Sequence, residues 1–254
     1  MGAEMRAVYI LWLRQLKRYS RSRSRMIGSL GQPLLFLLAL GFGFAPTFSK
    51  AGGGSYITFI TPGIISMGIL FTAVFSGIEI IWDRQFGFLK ETLVAPVSRI
   101  GIVLGRVLGG ATVAMIQGTV VLIVCLVAGF RFDRTVFLPL ALVFMFLIAL
   151  LFTAIGTSIG SVLQDMQGFP LVMNFLVMPL FFFSNALFPI QGLPKALQMI
   201  VRLNPVTYGV DGLRGSLSSN HGYVFGVGQD LVVLGFLTAV LLAIGSHLFS
   251  RIEL

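Results

Sequence analysis

The sequence predicts an all-α integral membrane protein. It has six transmembrane helices, an N-terminal interfacial amphipathic helix, a short amphipathic helix on the cytoplasmic side, and short external helices between spans five and six. Three observations predict this. Hydrophobic residues make up 56% of the 254-residue chain and charged residues 11%, with a mean hydropathy of +0.95. A soluble domain carries roughly 25% charged residues, so this inventory cannot clothe a water-exposed surface. Second, residues 26–49, 51–78, 107–130, 135–164, 166–194 and 231–250 contain no Asp, Glu, Lys or Arg, and a helix needs about 20 apolar residues to cross the hydrocarbon. Third, these stretches show no period-2 alternation of the kind a membrane barrel requires, which leaves the helix as the spanning structure that satisfies its own backbone.

The first 25 residues hold seven of the 18 basic side chains. Tyr9, Trp12, Leu13, Leu16 and Tyr19 fall on one helical face, with Arg14, Lys17, Arg18, Arg21 and Arg25 opposite. That segregation predicts an interfacial helix over 1–25, aromatics at headgroup depth and basic residues toward phosphate. The net charge of +9 is thereby assigned to the lipid surface and to orientation, not to nucleic acid. With both termini inside, the inner side holds 12 Lys and Arg and the outer side six, which fits the positive-inside rule. A cleavable signal peptide is not expected, because the basic segment is too long and the apolar run after it exceeds a signal core.

Span 166–194 carries Pro170, Pro179 and Pro189, which bend or break it. The external segment 189–230 is read as one or two short helices at, or dipping into, the outer leaflet. Its stretch LPKALQMIVRLNP starts a helix at Pro194 and ends at Asn204-Pro205. Small residues recur at four-residue spacing at Gly101, Gly105 and Gly109 and at Gly156 and Gly160, which suits close helix packing within the chain. No second soluble domain is expected, so 1–254 forms one membrane domain.

Catalytic chemistry finds no home in this pattern. A phosphate-binding loop needs Gly-Lys-Ser/Thr, whereas the four lysines follow Leu16, Ser49, Leu89 and Pro194. No Ser/His/Asp grouping or H-E-x-x-H occurs, His221 and His247 have no ligand cluster beside them, and Cys125 is the single cysteine. No catalytic residue, metal or bound cofactor is therefore expected. Glu79 is the one acid within a span, read as a membrane-edge carboxylate that snorkels or pairs with Arg84 in preference to a proton relay. The scarcity of intramembrane charge argues against an ion channel or proton-coupled carrier. A hydrophobic or amphiphilic cargo would instead move past Phe, Met, Leu and a few amides. Candidate path residues are Phe36, Phe42 and Phe44 in the first span, and Asn174, Phe181, Phe182 and Asn185 in the fifth.

One segment breaks the avoidance of charge. In IIWDRQFGFLKETLVAPVSR, Asp83, Arg84, Lys90 and Glu91 crowd between two apolar runs. On one helix over 82–95, Trp82, Phe86, Leu89 and Leu93 form an apolar face, Arg84 and Glu91 point away, and Gly87 is a notch beside them. Pro96 ends that helix and Ser98-Arg99 starts the next. Acids add nothing to membrane orientation, so a mixed-sign face is expected to dock a soluble protein.

The stretch WDRQFGFLKETLVAPVSR, followed by GRVLGG, resembles the cytoplasmic loop of type-2 ATP-binding-cassette (ABC) exporter permeases. LFPIQGLPKALQMIVRLNPVTYGVDGLRG is similar to the external segment before the last span of that family. Gln85 and Phe88 depart from the pattern, where an acid and a threonine are common. The resemblance implies a permease working as a homodimer with two copies of a separate ABC ATPase, which carries the ATP and Mg, in a cell inner or plasma membrane. Residues 82–99 would be the coupling segment, with Asp83, Arg84, Gly87, Lys90, Glu91 and Pro96 as its docking residues. The interfacial helix, through Trp12, Arg14, Lys17, Arg18 and Arg21, would contact the ATPase too. The implied cargo is a drug, antibiotic or lipid. A polysaccharide or lipid-linked glycan is the alternative, and a scaffold that recruits an ATPase without transport is a further one.

Overall fold

The computed structural model describes residues 2–50, 55–94, 97–132, 137–190, 193–218 and 224–250. Every regular element among them is helical. The chain opens with α1 (Ala3–Arg21) and α2 (Arg23–Phe36), which continues as a π-helical turn over Leu37–Phe42 and then α3 (Ala45–Lys50). Pro33 lies inside α2 and removes a backbone donor, and the ladder loosens to π geometry just beyond it. α4 (Tyr56–Phe75) and α5 (Ile78–Gln85) follow, then α6 (Phe88–Val94) and α7 (Arg99–Val127). α8 (Leu138–Val162), α9 (Gly168–Phe182), α10 (Lys195–Leu203), α11 (Pro205–Leu217) and α12 (Val227–Ser250) complete the bundle.

Five of these segments are long and apolar enough to cross a membrane: Arg23–Phe42, Tyr56–Gln85, Arg99–Val127, Leu138–Val162 and Val227–Phe249. Within the expected span 166–194, α9 rises about 22 Å over its 15 residues, and with the turns after it runs the length of α4, since Phe169 meets Phe75 at one end of α4 and the Leu187 carbonyl accepts from Tyr56 at the other. α9 ends at Phe182, three residues after Pro179, and turns carry the chain on to Ile190.

α4 is the axis of the bundle. Every residue from Phe59 to Leu70 is buried, and α7, α8, α11, α2 and α9 pack around it. An apolar helix without a polar face has this property when it is enclosed on all sides. The step between α4 and α5 occurs at Ser76-Gly77, where α8 crosses at backbone distance. A Cβ on Gly77 would overlap the Gly156 carbonyl, and one on Gly156 or Gly160 would overlap the backbone of Val74 or Gly77. The Gly156/Gly160 pair is thus an intramolecular seat, as its spacing predicted.

The segment expected outside the membrane divides in two. α10 runs between Pro194 and Asn204, as its sequence signals predict, with Val201 buried and Ile200 exposed. Asn204 then caps α11 by accepting the Val206 N–H, with Pro205 in the first turn. α11 is not a surface helix: it is packed against α4, α8 and α12. Its Gly209 and Gly212 admit Ile148 and Phe144 of α8.

Candidate functional site

The second glycine ladder carries α1. A Cβ on Gly101 would meet Glu4, one on Gly105 would meet Val8 and Leu11, and one on Gly109 would meet Gln15. Trp12 Nε1 donates to Thr112 Oγ1 at 3.0 Å, and the Tyr19 hydroxyl donates to Gln117 Oε1 at 2.8 Å. Contacts therefore advance together along both helices, and α1 runs parallel to the first half of α7. The two starts are tied as well. Ser98 caps α7 by accepting the Gly101 N–H, and the Glu4 carboxylate accepts from both the Ser98 N–H and its hydroxyl at 2.8 Å. A carboxylate at a helix start also meets the positive end of its dipole.

This seating brings four arginines onto two buried acids. Asp83 accepts from Arg106 at 2.6 Å and from Arg14 at 2.7 Å, and Arg18 stands 3.9 Å away. Glu79 accepts from Arg25 at 2.9 Å, with Arg18 at 3.6 Å. Glu79 and Asp83 are one turn apart on α5, so they share a face. Both are only about 4% exposed at the side chain, so the arginines supply the pairing that buried like charges one turn apart require. The basic face of α1 is thus divided. Arg14 and Arg18 turn onto α5, while Lys17 and Arg21 remain exposed. The expected Glu79–Arg84 pair does not form.

Arg84 serves another element. Its guanidinium donates to the Ser161 carbonyl at 2.6 Å and the Leu163 carbonyl at 3.1 Å. These are acceptors at the end of α8, where helix carbonyls lack partners and the dipole is negative. Neither Asp83 nor Arg84 projects outward, contrary to the docking role drawn from their sequence position.

The expected single helix over 82–95 is broken. Gly87 has φ +80°, a left-handed conformation that glycine adopts without penalty, and it separates α5 from α6. On the far side of this hinge Leu89 is buried with Ile80, Ile102, Val103 and Phe249. Phe86 is 69% exposed, Phe88 is half-exposed, and Lys90 and Glu91 are exposed. The apolar face drawn for this helix is therefore split, with Leu89 inside and Phe86 outside. Arg14 lies 5.9 Å from the Phe88 ring and Arg18 lies 5.2 Å from the Trp82 ring, so α1 touches both halves. Pro96 lies outside the described residues.

The candidate path residues are not gathered in one place. Phe36 and Phe181 meet edge to face at 6.2 Å, and Phe181 meets Phe182 at 6.0 Å. Phe44 contacts Tyr56 instead, Phe42 is half-exposed, and Asn174 is exposed. Asn185 is buried at φ +60°. Its carbonyl accepts from Arg214, a residue counted by sequence as an outer loop charge but fully buried on α11. Arg214 also donates to the Phe59 carbonyl at 3.3 Å and lies 4.3 Å over the Phe59 ring. One turn earlier, Asp211 accepts the N–H groups of Val224 and Phe225 at 2.8–2.9 Å and so fixes the entry to α12. Burial pushes the Asp211 carboxyl above its ordinary range, against those amides and Arg214. Asp211 and Arg214 were missed, although two opposite charges three residues apart in a weakly charged stretch were a legible signal. Among the described residues no three His, Cys, Asp or Glu side chains converge as metal ligands would.

Comparison with known proteins places this geometry. The family model described as ABC-2 type transporter matches residues 6–218. The transport permease ycf38 of Pyropia yezoensis is 33% identical over 216 residues, covering 80% of this chain and 71% of its own length. Nodulation protein J of Rhizobium leguminosarum bv. trifolii is 27% identical, covering 84% and 79%. The inner membrane transport permease YadH of Escherichia coli is 28% identical, covering 82% and 81%. With most of α1, the α5–α6 elbow and the buried α11 inside the matched span, the chain belongs to the ABC-2 type transporter family as a membrane permease.

Proposed function

We propose that the chain is the permease subunit of an ATP-driven ABC exporter. It moves a hydrophobic or amphiphilic substrate out of the cytoplasm, along a path between two copies of itself. In this reading the α1 end of the bundle and both termini are cytoplasmic, the membrane is a cell inner or plasma membrane, and two separate ATPase subunits supply ATP and Mg. The observation that carries the reading is the division of labour at the α5–α6 elbow. Asp83 and Arg84 bolt the base of the elbow to α1, α7 and α8, while Phe86, Phe88, Lys90 and Glu91 project from its tip. A rigid base with an exposed aromatic and mixed-charge tip can transmit a push from a soluble partner into α7 and α8. The docking set is accordingly revised to the tip residues, with Gly87 as the hinge and Asp83 and Arg84 as the mount. Family membership and the names of the relatives as transport permeases support transport over mere scaffolding. Drug, antibiotic or lipid cargo suits the sparsely charged interior, and a glycan remains the competing cargo class.

The test uses Phe88→Asp with Glu91→Lys in the permease co-expressed with its ATPase. Loss of ATPase co-purification and of vesicle transport, with an unchanged thermal unfolding midpoint, is the expected result. Full transport by the double variant overturns the docking assignment. Intact ATPase association without any amphiphile movement by the wild type favours the scaffold.

A further inference from the structure

α10 stands at the end of the bundle opposite α1. The Asn204 amide, just past its last residue, donates to the Leu180 and Phe183 carbonyls at the end of α9. Tyr56, the first residue of α4, donates to the Leu187 carbonyl a few residues further on. α10 is thereby held at the level where α4 begins its crossing. It has three sides. Val201 is 1% exposed and turns inward with the half-buried Leu197. Met199, Ile200 and Leu203 form a second side, apolar yet 65%, 48% and 74% exposed. Lys195 and Arg202, two turns apart and so in one line, occupy a third side that is also exposed. A helix bordering water carries polar residues wherever the protein does not cover it. An uncovered apolar side next to a basic one is instead the pattern of a helix lying in a lipid interface.

We infer that α10 is a docking site for anionic phospholipid of the leaflet at this end. Acyl chains cover Met199, Ile200 and Leu203, and phosphates lie against Lys195 and Arg202. Charge selects this occupant over a second copy of the chain. Lys195 and Arg202 are the only charged residues in 166–210. Two copies meeting on this stripe would therefore gather four cations with no acid of the segment to offset them. A zwitterionic lipid brings a phosphate too, but its own cation cancels the attraction, so an anionic head is favoured. The lipid also steadies α11, because the carbonyls of Val201 and Arg202 accept from the hydroxyls of Thr207 and Tyr208. The inference needs only that the chain spans a bilayer, and it does not depend on the export reading.

A fluorescent label on Met199→Cys in the full chain, reconstituted in nanodiscs, reads the contact. The single native cysteine, Cys125, is buried, so the label goes to position 199, and Lys195→Cys reports the basic side. The probes are phosphatidylglycerol and phosphatidylcholine carrying the same nitroxide on an acyl chain, and aqueous iodide. Nitroxide lipid is expected to quench position 199 more than iodide does, with the reverse at position 195. Phosphatidylglycerol should associate with position 199 at least about fivefold more tightly than phosphatidylcholine, the worth of one basic residue at an anionic surface. Lys195→Gln with Arg202→Gln should bring the two lipids within about twofold. Both residues are exposed, so the thermal unfolding midpoint stays unchanged. Equal association of the two lipids, a preference that survives the double neutralisation, or iodide reaching position 199 as freely as 195 overturns the inference. Protection of position 199 from both quenchers identifies a second copy as the occupant and overturns it as well.

Discussion

Asp83 and Arg106 face each other at 2.6 Å with both side chains about 4% exposed, which makes their pair the buried centre of the α1–α5–α7 joint. Removing one partner of a buried pair strands the other charge, at a cost of roughly 3–5 kcal/mol. Asp83→Ala is expected to lower the thermal unfolding midpoint sharply in detergent. Asp83→Leu combined with Arg106→Met should recover most of the loss, since matched apolar replacements of a buried pair are often close to neutral. A single variant as stable as the wild type would show that the pair does not hold the joint.

The mount and the tip of the elbow separate cleanly in a second experiment. Arg84→Gln removes two charged hydrogen bonds from the end of α8, each worth about 1.5–3 kcal/mol, and is expected to destabilise the fold. Glu91→Lys changes an exposed residue, and surface substitutions usually fall within about 0.5 kcal/mol. Differential scanning fluorimetry on both variants reads the difference. Equal destabilisation would mean that α6 is as integrated as α5.

Seating of α1 is tested by adding volume to its track. In Gly105→Val the new Cβ would come within 2.9 Å of Leu11 and 3.0 Å of the Val8 carbonyl, so α1 must lift. Limited trypsin treatment is expected to cut faster at Lys17, Arg18 and Arg21 in that variant, while Gly28→Ala, placed in open space, leaves the rate unchanged. Cleavage at the wild-type rate in Gly105→Val would place the contact of α1 elsewhere.

Much of this architecture is legible in the residues. Charge-free length found the long helices, and glycine spacing found the tracks of α1 and α8, because both signals are local. Pro194 and Asn204-Pro205 marked α10 and the start of α11 for the same reason. The partners of the charges were not legible. Arg84 was paired with Glu79 by sequence proximity, yet Glu79 is met by Arg25 and Arg18 from helices 54 and 61 positions earlier. Only the register of α1 on α7 decides which arginine reaches which acid. The hinge at Gly87 was visible as a glycine but read as a notch, since a helical wheel assumes the helix continues. The short α9 was foreshadowed by Pro179, whereas burial of α11 depends on gaps at Gly209 and Gly212 that only packing against α8 reveals.

Arg214 supplies the last test, because its burial makes the identity of the cation matter more than its presence. Its two hydrogen bonds both leave Nη2, for the carbonyls of Asn185 and Phe59, while Nε and Nη1 have no partner. The planar group is held instead by the Phe59 ring at 4.3 Å. Burial pulls the guanidinium down to about 10, with Asp211 holding it up. Lysine keeps the charge but is more strongly hydrated and cannot stack as a plane. Arg214→Lys therefore still bears the desolvation penalty and loses the ring contact. Methionine fills a similar volume without a charge to bury, though it leaves the Asn185 carbonyl without its donor, at a cost of about 1–3 kcal/mol. The expected order of unfolding midpoints is wild type, then Arg214→Met, then Arg214→Lys. If lysine proves the milder change, the site needs a positive charge beside Asp211 more than it needs the planar contact with Phe59.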